Sequence, residues 1–124
     1  MSTDVVPAAP DDGGAGSILL LAVCAVLVVG CLTAGSLAQA AVARHGASTA
    51  ADLGALAAAD LVAVGDPAAC EVATVVVRAN GGRMTSCQVQ VDGSVLVGAE
   101  RSVTGVLAAL GPARASAKAG RPPP

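Results

Sequence analysis

The feature that most constrains this chain is an uncharged stretch of 27 residues, 17–43, without a single Asp, Glu, Lys, Arg or His. A bilayer core about 30 Å thick needs roughly 20 apolar residues in helical form. A helix is expected there, because hydrocarbon offers no partners for unpaired backbone N–H and C=O groups. The stretch therefore predicts one membrane-spanning helix over about residues 18–38, with lipid as its partner and the rest of the chain outside the bilayer.

Composition limits what the remaining part can build. About 80 of the 124 residues follow the uncharged stretch, and the chain has no Phe, Tyr or Trp. Aromatic side chains normally provide the largest burials in a core, so the sequence predicts a thin core of Val, Leu and Ala that needs a staple. A net charge of −2 with only 7 Lys and Arg gives no basic footprint for nucleic acid.

No catalytic chemistry is visible in the sequence. The chain has one histidine, His45, and no nucleophile-elbow, zinc-protease, P-loop or dinucleotide motif. Asp52 and Asp60 are eight residues apart, too far for one acid–base site on a helix. We therefore expect no enzyme, no catalytic, cofactor-binding or metal-binding residues, no cofactor and no small-molecule substrate.

The ends of the chain differ from its middle. Residues 1–16 are rich in Pro, Gly and Asp without apolar periodicity, which predicts a disordered flank. Residues 120–124 read as a disordered tail. Between them, the Ala-rich residues that follow the span continue its helix, so one helix is expected over 17–64, ended by Gly65, Asp66 and Pro67. Its second half carries an apolar face, which consists of Leu53, Leu56, Ala57, Leu61 and Val64, and Asp60 falls within that arc.

Residues 66–119 predict a small head. A short helix over 67–80 is closed by Gly81 and Gly82, and residues 83–91 alternate as a strand with Cys87, Val89 and Val91 on one face. Asp92-Gly93 predicts a two-residue hairpin turn into a second strand. Residues 112–119 predict a third, edge strand with Arg114, Ser116 and Lys118 on its outer face. The fold class is therefore α+β: a long N-terminal helix, then a helix, hairpin and strand.

Two cysteines of the head are placed for a disulfide. Cys70 and Cys87 are 17 residues apart, one on the short helix and one on the first strand. A zinc pair lacks two further ligands, and two unpaired thiols remain an alternative. A disulfide indicates an oxidising compartment. Arg44, the only basic residue near either end of the span, instead favours a cytoplasmic head; we give the cysteines precedence and expect the head outside the cytoplasm.

Small residues form a stripe on the spanning helix. Cys24, Cys31, Gly35 and Ala38 share one side at 100° per residue, and such stripes let another membrane helix approach closely. The alternative is that these residues are simply tolerated in lipid.

Two processing patterns offer a different outcome. Residues 28–31 (VVGC) fit a lipobox with Cys31 as the lipidated residue, and residues 38–40 (AQA) fit a signal-peptidase site. Either would give a lipoprotein or a secreted small binding module.

The motif QAAVARH at residues 39–45, followed by AADLGALAAA at 50–59, resembles the signature of the TadE-like pseudopilin family of actinobacterial type. The frame is similar as well: DGGAGS at 12–17 before the helix, the two head cysteines, and ARASAKAG at 113–120. The resemblance covers most of residues 12–120. It implies a pilin-like architecture in which the helix is held in the membrane within a bundle and the head is exposed at the cell surface.

The resemblance also implies a function. A minor pilin-like subunit of the Tad/Flp branch of type IV pilus systems would associate with other pilin-like subunits and Tad-type assembly components. Prepilin-type processing would follow Gly14 or Gly16, just before the helix. Pilin-like helices commonly carry Glu at the fifth mature position, where this chain has Leu19 or Leu21. A membrane-bound assembly factor outside the filament is therefore an alternative.

Overall fold

The computed structural model describes residues 3–4 and 13–121. The predicted disordered flank 1–16 and tail 120–124 thus lie largely outside the described residues. Two helices, three strands and a 3₁₀ helix follow one another: α1 (Gly13–Ala63), α2 (Ala69–Ala79), β1 (Arg83–Val89), β2 (Val95–Arg101), the 3₁₀ helix (Val106–Leu110) and β3 (Ala113–Ala119). The predicted α+β class is confirmed: a long N-terminal apolar helix, a small helix and a three-stranded antiparallel sheet in a pilin-like layout.

Helix α1 has 51 residues and begins at Gly13, four residues before the predicted start. The chain divides into two compact units, Met1–Gly35 and Ser36–Pro124. The first unit contains the apolar part of α1. The second contains the Ala-rich part of α1 together with α2 and the sheet, and we call this second unit, without its α1 residues, the head.

Both helices end in the same way. Beyond α1, the Asp66 N–H donates to the Leu61 carbonyl at 2.9 Å and the Gly65 N–H to the Val62 carbonyl at 3.0 Å. This is a Schellman motif, in which the residue after the cap takes a left-handed conformation that favours glycine, and Gly65 has φ +75°. Gly81, also at φ +75°, does the same beyond α2. The glycines therefore turn the chain at the two places that the sequence predicted.

The sheet has the order β1-β2-β3 with β2 in the centre. The hairpin between β1 and β2 differs from the prediction. The Gly93 N–H donates to the Gln90 carbonyl at 3.0 Å, and Gly93 has φ +79°. This is a three-residue loop with glycine at its left-handed position, not a two-residue turn. Val91 lies in the loop and is fully exposed, so it does not share the buried side of Cys87.

The core lies between α2, the sheet and the Ala-rich part of α1. Val77, Val95 and Val97 are its largest fully buried side chains. The residues that helix α1 buries in it are all small, namely Ala50, Ala51, Ala55 and Ala58, and Leu61 and Val62 pack against its edge. A methyl group on Gly54 would lie 2.6 Å from Cγ2 of Val77, so the backbone of α1 comes very close to α2. The composition predicted a thin core of Val, Leu and Ala; the core is thin, but its buried apolar residues are Val and Ala, and Leu61 only packs against it.

The predicted buried face of α1 is wrong in part. Leu61 packs against the core and Ala57 is half-buried, but Leu53, Leu56 and Val64 are 39%, 56% and 78% exposed. The reason is size: α2 and β2 present valines, and a helix can approach them closely only with Ala and Gly. Asp60 lies on the exposed side, so it needs no buried partner.

Candidate functional site: the surfaces of the helix and the head

The apolar part of α1 exposes its large side chains. Ile18, Leu21, Val26 and Leu32 are each between 67% and 72% exposed. Among the described residues, α1 is the one helix long and apolar enough to cross a membrane, and its most hydropathic window is not buried by the chain. This surface is compatible with a single membrane span or with a signal sequence.

The predicted packing stripe lies on this exposed surface. Cys24 and Cys31 are free and exposed, and nothing lies within 4 Å of a methyl group placed on Gly35. Ala38 is exposed in the second unit. The Thr33 hydroxyl donates to the Gly30 carbonyl at 2.9 Å, so the hydrogen bond of this polar side chain is made within the helix. Cys24, Cys31 and Gly35 are thus open to a neighbouring helix, whereas Ala38 lines a pocket with Arg101 and Thr104 of the head. The role of the stripe in packing stays a prediction.

The two candidate processing residues lie inside α1 rather than before it. Gly14 and Gly16 fall in the first turn, and a methyl group on either would meet nothing within 4 Å. Processing after either residue also stays a prediction.

The predicted disulfide is present in the head. Cys70 in α2 and Cys87 in β1 are bonded, with their α-carbons 5.8 Å apart. Closing a loop of this length stabilises a fold by about 3 kcal/mol in the chain-entropy model. The bond joins the helix layer to the sheet on one side of the small core.

An exposed apolar face runs along the second part of α1. Val42, Leu53 and Leu56 are 65%, 39% and 56% exposed, and Thr49 lies between them on the same side. At 100° per residue these four positions fall within about 60° of one another, which is a narrow helical stripe. We call Val42, Thr49, Leu53 and Leu56 the leucine face. It points away from the Ala and Gly positions that pack on the head.

A charged ladder crosses the outer face of the sheet. Glu100 on β2 pairs directly with Arg83 on β1 and with Arg114 on β3. Its Oε1 accepts from Arg83, and its Oε2 accepts from Arg114 Nε at 3.3 Å. Arg83 lowers the pKa of Glu100 more than burial raises it, and Arg114 lowers it further. This ladder could not be predicted from the sequence, because only the strand register brings the three residues together.

The opposite end of the sheet carries a second carboxylate. Asp92 Oδ1 accepts from the Ser94 hydroxyl at 2.5 Å and from the Ser94 N–H at 3.0 Å. These bonds, with a smaller contribution from Lys118 at 3.4 Å, lower the pKa of Asp92 to about 2. The arrangement fixes the hairpin loop and closes it against the start of β2.

The 3₁₀ helix and its flanks form a cleft with α1. The Thr104 hydroxyl donates to Gln39 Oε1 at 2.8 Å, which holds the segment against α1. The cleft has a volume of about 810 Å³ and is lined on the α1 side by Ala40, Ala41, Arg44 and His45. Arg114 lines its other side. Val106 and Leu110 are 84% and 82% exposed. No signal in the sequence pattern singled out this segment.

The remaining polar residues of α1 do not form a site. Asp52 and Asp60 are both exposed, and eight residues on a helix separate them by about 12 Å. Within residues 3–4 and 13–121, no group of three or more His, Cys, Asp or Glu is placed to hold a metal ion. The described part of the chain exposes an apolar helix, the leucine face and a cleft lined by Arg44 and Arg114.

No family model, curated protein or solved structure matches this chain.

Proposed function

We propose that this chain is a membrane-anchored, minor pilin-like subunit of TadE-like type that takes part in assembling a Tad/Flp-type pilus or a related secretion apparatus. The observation that supports it is helix α1, Gly13–Ala63, whose first part exposes only uncharged side chains from Gly14 to Gly35 and whose second part carries a small disulfide-bonded head. The role is mechanical: the helix is held in lipid and associates with similar helices. The chain performs no catalysis in this proposal.

The leucine face supports the association of helices. Its apolar side chains are not part of the core, since the residues that α1 buries there are Ala and Gly54. Apolar side chains at helical spacing on an unpartnered face are the usual anchors of helix–helix association. In the first unit, the stripe of Cys24, Cys31 and Gly35 supplies the small residues that membrane helices use for close approach.

The disulfide supports the placement of the head outside the cytoplasm. Structural disulfides persist in oxidising compartments and are rare in the cytosol. A small head with three valines as its largest buried side chains depends on that bond. We therefore propose a single-pass membrane protein whose head lies outside the cytoplasm.

Co-purification tests the association. The full chain is cross-linked in its native membrane and purified in detergent, and Tad-type components are identified by mass spectrometry. We expect them with the wild type and not with L53S/L56S. The control V75S changes an apolar side chain of α2 that is 63% exposed, and it should leave the co-purified set unchanged. Consistent absence of Tad-type components from the wild type would favour an accessory subunit of another membrane complex.

Intact-mass measurement of the native protein tests the alternative of a lipoprotein or a secreted module. The proposal expects the hydrophobic helix in the mature chain. Loss of residues 1–30 with added lipid mass on Cys31, or a mature chain that begins after Ala40, would contradict it.

A further inference from the structure

We propose that the end of the head next to Gln39 docks on an anionic phospholipid surface, with Val106 and Leu110 inserted among the lipids and Arg44 and Arg114 on phosphate groups. This inference rests on the proposed membrane anchor. It concerns a surface that the helix-association proposal does not use.

The position of the segment along the chain is the first step. Gln39 follows directly on the uncharged residues 18–38. In a helix that crosses the bilayer with those residues, the side chains that follow lie at the lipid–water interface. The 3₁₀ helix is held at this level, because Thr104 bonds Gln39 and the cleft is lined by Ala40 and Ala41.

The exposure of the segment is the second step. Val106 and Leu110 are more than four-fifths exposed, although they belong to a short helix with no buried residue. Leu107 is the half-buried residue of this helix, whereas the side chains of Val106 and Leu110 are not used in the core of the head. Apolar side chains at this depth instead bury themselves by about 5–10 Å in the boundary between headgroups and acyl chains.

The charge of this end of the head is the third step. Arg44 and Arg114 line the cleft, and no Asp or Glu is among its lining residues. Arg101 lies beside Gly46 of α1, and Arg83 starts β1 at the same end of the sheet. Glu100 is the carboxylate among them, and both its oxygens already accept from arginines.

The opposite end of the head has the reverse character. Asp92 lies in the hairpin loop, and Asp60 and Asp66 lie near the end of α1, so the three carboxylates outnumber the two basic residues at this end, Lys118 and Arg121. The basic end thus complements an anionic surface, and the acidic end faces away from it. Each Arg near an anionic membrane contributes about a fivefold preference for the surface.

Tryptophan fluorescence gives the test, because the chain contains no aromatic residue. Single-tryptophan variants L110W, V91W and L27W of the full chain are reconstituted in vesicles of phosphatidylcholine with phosphatidylglycerol, with and without brominated acyl chains. We expect strong bromine quenching for L110W and L27W and little for V91W, which lies in the hairpin loop. If L27W is quenched but L110W is quenched no more than V91W, the docking proposal is wrong and the membrane anchor is still supported. Absence of quenching for L27W would overturn the anchor, and the docking with it.

Two double variants that remove the same charge from opposite ends test whether binding depends on lipid headgroups or on apolar contact alone. In the L110W background, R44Q/R114Q should lower the ratio of docked to undocked head by about fivefold for each arginine, measured as quenched and unquenched fractions. K118Q/R121Q removes the same charge from the other end and should leave the ratio unchanged. Equal quenching in pure phosphatidylcholine, or equal effects of the two double variants, would contradict the role of the arginines. Free phosphate at the concentration of the lipid phosphate should not reverse the quenching; reversal would identify a soluble anion as the ligand.

Discussion

A methyl group on the α-carbon of Gly54 would lie 2.6 Å from Cγ2 of Val77, a fully buried side chain of α2. Valine is stiff at χ1, so this contact is not relieved by a rotation. The close approach of α1 to α2 therefore depends on glycine at this position.

The first prediction is that G54A destabilises the head. Overpacking of a core costs about 1–3 kcal/mol, and a contact of 2.6 Å with a stiff, buried valine favours the upper part of that range, which exceeds the gain of about 1 kcal/mol from replacing glycine in a helix. Denaturant unfolding of the full chain in detergent, followed by circular dichroism, measures the change. The control is G46A, where the nearest atoms belong to the flexible end of Arg101, and it should be nearly neutral. Equal stability of G54A and wild type would show that the two helices do not meet as described.

The second prediction concerns the disulfide. Removing it in C70S/C87S should lower the free energy of unfolding by about 3 kcal/mol, and reductant should do the same to the wild type. The matched variant C24S/C31S removes the two free cysteines and should not change the unfolding of the head. If reductant leaves the unfolding midpoint of the wild type unchanged, the disulfide does not stabilise the head.

The third prediction is a loss of stability in acid. The folded pKa of Asp92, about 2, lies below its ordinary value of 3.8. A lowered pKa contributes stability that is fully present above the unfolded value and is lost as the pH falls through the folded value. We expect unfolding measurements to show this loss between pH 3.8 and about 2. Glu100 adds to it in the same direction, starting below its ordinary value of 4.5.

Two variants assign that acid loss. In a plot of the free energy of unfolding against pH, D92N should reduce the slope between pH 3.8 and about 2. E100Q should reduce the slope in the range that begins below pH 4.5. D52N alters a carboxylate that is exposed on α1 and serves as the control. A curve that is equally steep in all three variants would contradict the two hydrogen-bonded carboxylates as its source.

The fourth prediction separates the two faces of α1. L53S/L56S changes exposed side chains and should alter the free energy of unfolding by less than about 0.5 kcal/mol for each substitution. A55L places a larger side chain on the fully buried face and should cost about 1–3 kcal/mol. Thermal unfolding of the two variants under the same conditions gives the comparison. The reverse order of stability would mean that the leucine face is the one buried.

The sequence predicted most of the fold because its local signals agree with one another. Gly65 and Gly81 end the helices, the alternation in residues 113–119 gives the edge strand, and the cysteine spacing gives the disulfide. Each of these depends on residues close in the chain, or on one covalent bond.

The features that the sequence did not predict depend on how close separate helices and strands come to one another. The buried face of α1 was misjudged because hydrophobicity favours Leu53 and Leu56, whereas close packing favours Gly54 and Ala55. The ladder of Arg83, Glu100 and Arg114 exists only once the register of the strands is set. The cleft at the 3₁₀ helix could not be predicted either, because the Gln39–Thr104 bond joins residues 65 positions apart.

The central claim is that α1 anchors a disulfide-bonded head outside the cytoplasm. Labelling of single introduced cysteines in intact cells with a membrane-impermeant maleimide tests it most directly, since Cys70 and Cys87 are bonded and Cys24 and Cys31 lie in the apolar segment. The account predicts that V91C is labelled in intact cells and that T3C, in chains that intact mass shows to retain residues 1–16, is labelled only after permeabilisation. Labelling of V91C only after lysis, or recovery of the full-length protein in the soluble cytosolic fraction, would contradict it.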